Sequence, residues 1–262
     1  MRALAIGATG MEAQQLNTEV ISNNIANSST TGFKASRVEF QDLLYDNLRT
    51  VGSLSSQTGT IVPSGLEVGI GVMPAATYRI NTQGNLSVTN NPLDLAVNGS
   101  GYFQVLMPDG TISYTRSGAL QLNYAGQIVT ADGYQVLPNI TVPTSATSIT
   151  VNSSGQVLAT IAGQIAQQTL GQLQTANFIN PVGLQAIGNN LLKQTDSSGA
   201  PIIANPGTPG FGTIVQGSLE TSNVDIVTEV TDLITAQRAY EMNSKVITTA
   251  DQMLSTTNQM KT

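Results

Sequence analysis

A chain with no histidine and no cysteine has to perform any proton-transfer, nucleophilic or metal chemistry with carboxylates, amines and hydroxyls. Imidazole is the usual general base and transition-metal ligand, and thiolate the usual soft ligand, so serine–histidine triads and Cys/His zinc sites are excluded. A pair of carboxylates could still run glycoside hydrolysis. The 16 acidic residues are dispersed, however, two of them in Asp-Gly turns, and the tightest group, Glu39, Asp42 and Asp46, has the spacing of one solvated helix face. Phosphate loops fare no better. Gly69-Ile70-Gly71 and Gly99-Ser100-Gly101 complete neither a G-x-G-x-x-G nor a Walker pattern, and read as turn or bulge glycines. No catalytic, cofactor-binding or metal-ligating residue is therefore assigned, and the expectation is a non-enzyme without cofactors.

Composition supports a different kind of role. Only 10% of the 262 residues are charged, where a soluble globular chain carries about 25%. Asn, Gln, Ser and Thr fill 96 positions, so the chain is polar without being charged. A net charge of −6, with no cluster of Lys or Arg, argues against a nucleic-acid groove. No apolar run approaches the roughly 18 residues of a membrane span, so no membrane insertion is expected. The start, Met1-Arg2-Ala3-Leu4-Ala5-Ile6-Gly7-Ala8, is interrupted early by Glu12, Gln14 and Gln15 and makes a poor secretory signal.

The elements that position these residues are helices at the two ends and β-structure between them, an α+β chain. Ile226, Leu233, Tyr240, Ile247 and Leu254 recur every seven residues, with Ala236 and Ala250 on the same side. Ser222 and Asp225 predict a capping box before that helix. Near the start, Leu4, Met11, Thr18 and Ile25 form a weaker stripe of the same period, and Asn27 to Gly32 should end the helix, with Gly32 at positive φ. Isolated helices of this kind are marginal in water, so the stripes must bury each other or a neighbouring chain. Val38, Phe40, Leu43 and Leu44 suggest a second short amphipathic helix. Residues 47–65 are Ser-, Thr- and Gly-rich and read as a loop or extended arm. Runs at 102–106, 112–115, 120–123, 127–130, 134–137, 148–151 and 156–159 are separated by Asp109-Gly110, Ala125-Gly126, Asp132-Gly133 and Ser154-Gly155, which predicts successive hairpins. The expected divisions are 1–35 for the N-terminal helix and turn, 36–75 for a linker with the arm, 76–216 for the β-rich domain and 217–262 for the C-terminal helix.

These residues carry a resemblance. Asn23-Asn24-Ile25-Ala26-Asn27-Ser28-Ser29-Thr30-Thr31-Gly32-Phe33-Lys34 resembles the N-terminal signature of bacterial flagellar rod and hook proteins, and 217–225 with Gln237-Arg238-Ala239-Tyr240-Glu241-Met242-Asn243-Ser244-Lys245 is similar to their C-terminal half. Val62-Pro63-Ser64-Gly65, Gln83-Gly84-Asn85-Leu86, Thr89-Asn90-Asn91 and Tyr114-Thr115-Arg116-Ser117-Gly118 extend the similarity, over essentially the whole chain, to the distal rod branch. Ala119 departs from the pattern, standing where an aromatic residue commonly follows the glycine.

The resemblance implies a structural subunit of the distal rod. Such a subunit polymerises into a rigid helical tube, with the terminal helices inside and the β-domain outside, that carries torque from motor to hook. It implies self-association, adjacent proximal rod and hook proteins, a surrounding bushing ring, and delivery through the flagellar type III apparatus to a periplasmic rod without a cleaved signal peptide. The expected assembly residues are Leu4, Met11, Ile25, Ile226, Leu233, Tyr240, Ile247 and Leu254 from the stripes, with Asn27, Gly32, Phe33, Lys34 and Arg238 from the signatures. Another axial protein is the alternative, and a phage-tail or adhesin module a remoter one.

Overall fold

Two helices at the chain ends and a run of short antiparallel strands between them make up this computed structural model, which describes residues 2–49, 64–163 and 166–260. The architecture is α+β, and it divides into two units. The first draws on Met1–Ile25, Ser36–Tyr78 and Ile226–Thr262, the second on Ala26–Ala35 and Arg79–Asp225.

In the first unit, α1 (Arg2–Ala26) and α2 (Ile226–Met260) accompany two small sheets. Ser36–Asp42 pairs with Val72–Arg79, and Tyr45–Arg49 runs antiparallel to Leu66–Gly69 with Asn47 opposite Glu67. These strands replace the short helix expected around Val38 to Asp46. Val38 and Phe40 alternate with Arg37, Glu39 and Gln41, and that period of two decides the conformation, burying Val38 while its neighbours stay exposed. Glu39 and Asp42 thus lie on one strand and Asp46 on another, where Asp46 pairs with Arg2. Of the expected arm, Asn47–Arg49 belong to the strand instead; residues 50–63 lie outside the described residues.

The second unit is built of hairpins that close where the turn residues predicted. Tyr102–Leu106 pairs Ile112–Thr115, Leu120–Leu122 pairs Ile128–Thr130, which in turn pairs Gln135–Leu137, and Ala146–Val151 pairs Gln156–Ile161. Gly110, Gly126, Gly133 and Gly155 all have positive φ, the conformation these tight turns demand. Most of these strands join one nine-stranded sheet, whose order runs Gln185–Gly188, Leu191–Lys193, Ile112–Thr115, Tyr102–Leu106, Gln135–Leu137, Ile128–Thr130, Leu120–Leu122. Thr175–Asn177 and Ile202–Ala204 extend it from Tyr102–Leu106. Leu95, Val97, Phe103, Leu120, Ile128, Val136 and Val157 fill the core from alternate strand positions, and Tyr102, Tyr114 and Phe178 form a smaller edge-to-face cluster beside Leu184.

Candidate assembly site

The signature turn that follows α1 is held by charge. In the second unit the Glu220 carboxylate has no solvent-exposed surface on its side chain, and it accepts from Lys34 Nζ at 2.6 Å through one oxygen and from Arg116 Nε at 2.6 Å through the other. Gly84 N–H adds a third donor at 3.0 Å. Burial pushes this carboxyl toward the neutral form, but Arg116, Lys34 and the Gly84 amide outweigh it and hold the group below its ordinary value. For Lys34 burial dominates, pulling the ammonium below its usual range despite Glu220. The remaining guanidinium protons of Arg116 go to the carbonyls of Val97, Gly99 and Gly101. Gly99-Ser100-Gly101 therefore turns carbonyl oxygens toward a cation, the reverse of a phosphate loop, which presents N–H groups to an anion.

Backbone contacts complete the clasp. Gly32, at φ +69°, donates its N–H to Glu220 O at 2.8 Å and passes so close to Arg116 and Ser117 that a Cβ would stand 2.8 Å from Ser117 N. Lys34 Nζ also donates to Thr82 O, and Asn223 Oδ1 accepts from Ala35 N while its Nδ2 donates to Ile80 O. These bonds keep Asn223 in the β-domain, ahead of α2, so the helix does not start at Ser222 as the predicted capping box required. Ser222 Oγ accepts from Val224 N in a preceding turn, and α2 begins only at Ile226.

In the first unit, α1 and α2 pack antiparallel through small residues. A Cβ on Gly7 would stand 2.9 Å from Ile247 Cγ1, one on Gly10 would meet the Asn243 amide at 2.8 Å, and Asn24 Nδ2 donates to Glu229 Oε1 at 3.2 Å, so positions rise on one helix as they fall on the other. Ala13, Ile21, Ala236 and Ala250 are buried as well. Asn24 is 2% exposed and bonds both the N–H and the carbonyl of Ser36, fixing the first residue of its strand. Burial, with Asp232 nearby, raises the Glu229 carboxyl above its ordinary value against the opposing effect of Asn24.

The expected assembly residues fall into three groups. Gly32 and Lys34 sit in the clasp, with Phe33 N–H donating to Thr30 O and the Asn27 side chain meeting Thr30 Oγ1. Leu4, Met11, Ile25, Leu233 and Ile247 are half-buried, with Ile247 under Gly7. Ile226, Arg238, Tyr240 and Leu254 are exposed. Composition reasoning missed Asn24, Arg116 and Glu220. The Asn23-to-Lys34, Tyr114-to-Gly118 and Gly217-to-Asp225 motifs contained all three, but nothing local pairs groups so far apart in sequence. Among the described residues no group of acidic side chains could hold a metal ion, and no helix is long and apolar enough to cross a membrane.

Comparison with known proteins agrees with this geometry. The family model "Flagella basal body rod protein" matches residues 4–34, "Flagellar hook protein FlgE/F/G D1 domain" residues 96–159, and "Flagellar basal body rod FlgEFG protein C-terminal" residues 215–260. The flagellar basal-body rod protein FlgG of Caulobacter vibrioides is 57% identical over the full length of both chains. That of Agrobacterium fabrum is 54% identical over 97% of each, and that of Borreliella burgdorferi 46% over 100% of this chain and 99% of the relative. Matched over nearly its whole length at 46–57% identity, this chain belongs to the FlgG family of flagellar basal-body rod proteins.

Proposed function

We propose that the chain is a structural subunit of the flagellar distal rod that polymerises into a stiff helical tube and transmits torque from motor to hook. It performs no chemistry. One observation carries the reading. The α1–α2 contact consumes glycine and alanine, whereas Ile234, Tyr240, Met242, Val246 and Met253 on α2 remain exposed, at 64% for Met242 and 60% for Met253. Several large apolar side chains left in water on one helix mark an interface, and in a polymer other copies cover them. The low charge supports this, since densely packed copies with high like charge would repel.

Leu4, Met11, Ile25, Ile226, Leu233, Arg238, Tyr240, Ile247 and Leu254 serve in this scheme as packing positions of the inner helical layer. Asn27, Gly32, Phe33 and Lys34 hold the turn that follows α1. The ends of the tube meet the proximal rod and the hook, a bushing ring surrounds it, and subunits arrive through the type III apparatus in the periplasm without a cleaved signal peptide. Relatives named as rod proteins favour this over a hook role. Electron microscopy of basal bodies from cells carrying this chain as their sole copy tests it. A straight rod is expected, and normal rods in its absence would overturn the reading.

A further inference from the structure

Tyr124 is 103% exposed, yet it stands on one of the most firmly tied turns in the molecule. Asn123 Oδ1 accepts from Ala125 N and Gln127 N, each at 2.9 Å, while Gly126 N–H donates to Asn123 O. From the other side Val142 N–H donates to Gly126 O at 2.7 Å, and at φ +75° Gly126 lies so close that a Cβ would stand 2.3 Å from Val142 O. The ring adds nothing to the fold that carries it. A large amphipathic side chain held in water on a rigid support is the form of an interface anchor, because its ordering cost is already met before binding.

A matching hole lies at the opposite end of the same hairpin. Where Leu120 faces Thr130, the strands open onto a cavity of about 250 Å³ lined by Ala119, Thr130, Ala131 and Asp132 and by Ser117 and Asn190 of adjoining segments, with Thr31 beside them. The walls are preformed, with Asn190 Nδ2 donating to Thr31 O, Thr115 Oγ1 to Asn190 O, and the Thr31 and Ser117 hydroxyls 3.1 Å apart. Asp132 takes part in no ion pair among the described residues, so its carboxylate is an available acceptor for a phenolic O–H. In a cavity of similar size beside Lys34 and Arg116, both cations are already bonded to Glu220 and to backbone carbonyls.

We infer that Tyr124 of one copy seats in the Ala119–Asp132 cavity of the next, an inference that rests on the polymer reading and names its contact. Within one chain, knob and hole lie roughly 15 Å apart at about 3.3 Å per strand residue, so a chain cannot fill its own hole. A contact between different patches of identical copies is head-to-tail, and where its rotation does not close on itself it propagates as a helix. A second copy is thus the occupant that both the ring and the direction of the hairpin fit.

Because the chain has no cysteine, single Tyr124→Cys and Ala131→Cys variants can be introduced as minority subunits beside the unaltered chain. Rods isolated from cells with both variants are expected to give disulfide-linked dimers on mild oxidation, and rods with either variant alone none. Intact rods without the mixed dimer would overturn the contact while leaving the rod assignment standing; dimers from Tyr124→Cys alone, or a link from it to another protein, would likewise overturn it. A chain that forms no rods at all would overturn both readings. In parallel, Tyr124→Ser and the cavity-filling Ala119→Phe are expected to raise the concentration needed for polymerisation roughly tenfold or more, with melting temperatures unchanged, and Tyr124→Phe to have a smaller effect. Unaltered polymerisation by both Tyr124→Ser and Ala119→Phe would refute the contact.

Discussion

Lys34 Nζ lies 2.6 Å from Glu220 Oε1 across 186 residues of chain, and neither side chain has more than 9% of its surface exposed. Arg116 approaches the other carboxylate oxygen from 104 residues away. Three segments distant in sequence, the signature turn, the strand end before Gly118 and the strand Ser218–Glu220, are thereby fixed at one buried point.

Replacing Glu220 by Gln keeps the shape and removes the charge that balances two buried cations. Breaking a buried ion pair from one side costs about 3–5 kcal/mol. Urea unfolding of the β-domain, followed by near-ultraviolet signals of its tyrosines, is expected to show a loss of that order, and a loss under about 1 kcal/mol would deny the clasp its structural importance.

Acid should loosen the same point. The folded Glu220 carboxyl titrates below its ordinary value, so an unfolded chain binds this proton at higher pH than a folded one does. The contribution is complete above the ordinary glutamate value of about 4.3 and is lost as pH falls through the lower folded value. Stability of the unaltered chain is expected to fall more steeply below about pH 4 than that of Glu220→Gln; parallel curves would contradict it.

On the helices, Gly7→Ala forces a Cβ to within 2.9 Å of Ile247 Cγ1. Overpacking of this kind costs about 1–3 kcal/mol. Pairing it with Ile247→Val, which removes a methyl from the crowded side chain, is expected to recover part of the loss in helix stability by circular dichroism. Additive losses in the double variant would show that the two residues do not meet.

Tyr240 is 42% exposed in the single chain, so Tyr240→Asp is expected to leave the helical signal of the monomer intact. In the polymer reading the same change buries a carboxylate between copies, and rod formation and swimming motility should be lost. Straight, motile rods from this variant would remove Tyr240 from the interface.

What the sequence made legible were features written within a few residues. Asp109-Gly110, Asp132-Gly133 and Ser154-Gly155 each specify a tight turn, and the hairpins followed. The end of α1 was legible for the same reason, with Gly32 placed at positive φ. Ser36–Asp42 was misread because Val38, Phe40, Leu43 and Leu44 satisfy a helical spacing as well as an alternating one, and only pairing with Val72–Arg79 breaks the tie. The small residues of the helix contact were legible only in part. The seven-residue stripe took in Ala236 and Ala250, but Gly7 and Gly10 matter here by being small and offer no apolar side chain for a periodicity to register. The clasp was invisible because three charges become partners only when the chain is folded.

The position of Glu220 along the chain also orders events in time. Every hairpin between residues 102 and 161 closes over a short loop and can form as soon as its own residues are available. The clasp must wait for the strand Ser218–Glu220. A chain lacking that strand would leave Lys34 and Arg116 without their shared anion, so closure of the β-domain at this point requires every residue out to Glu220.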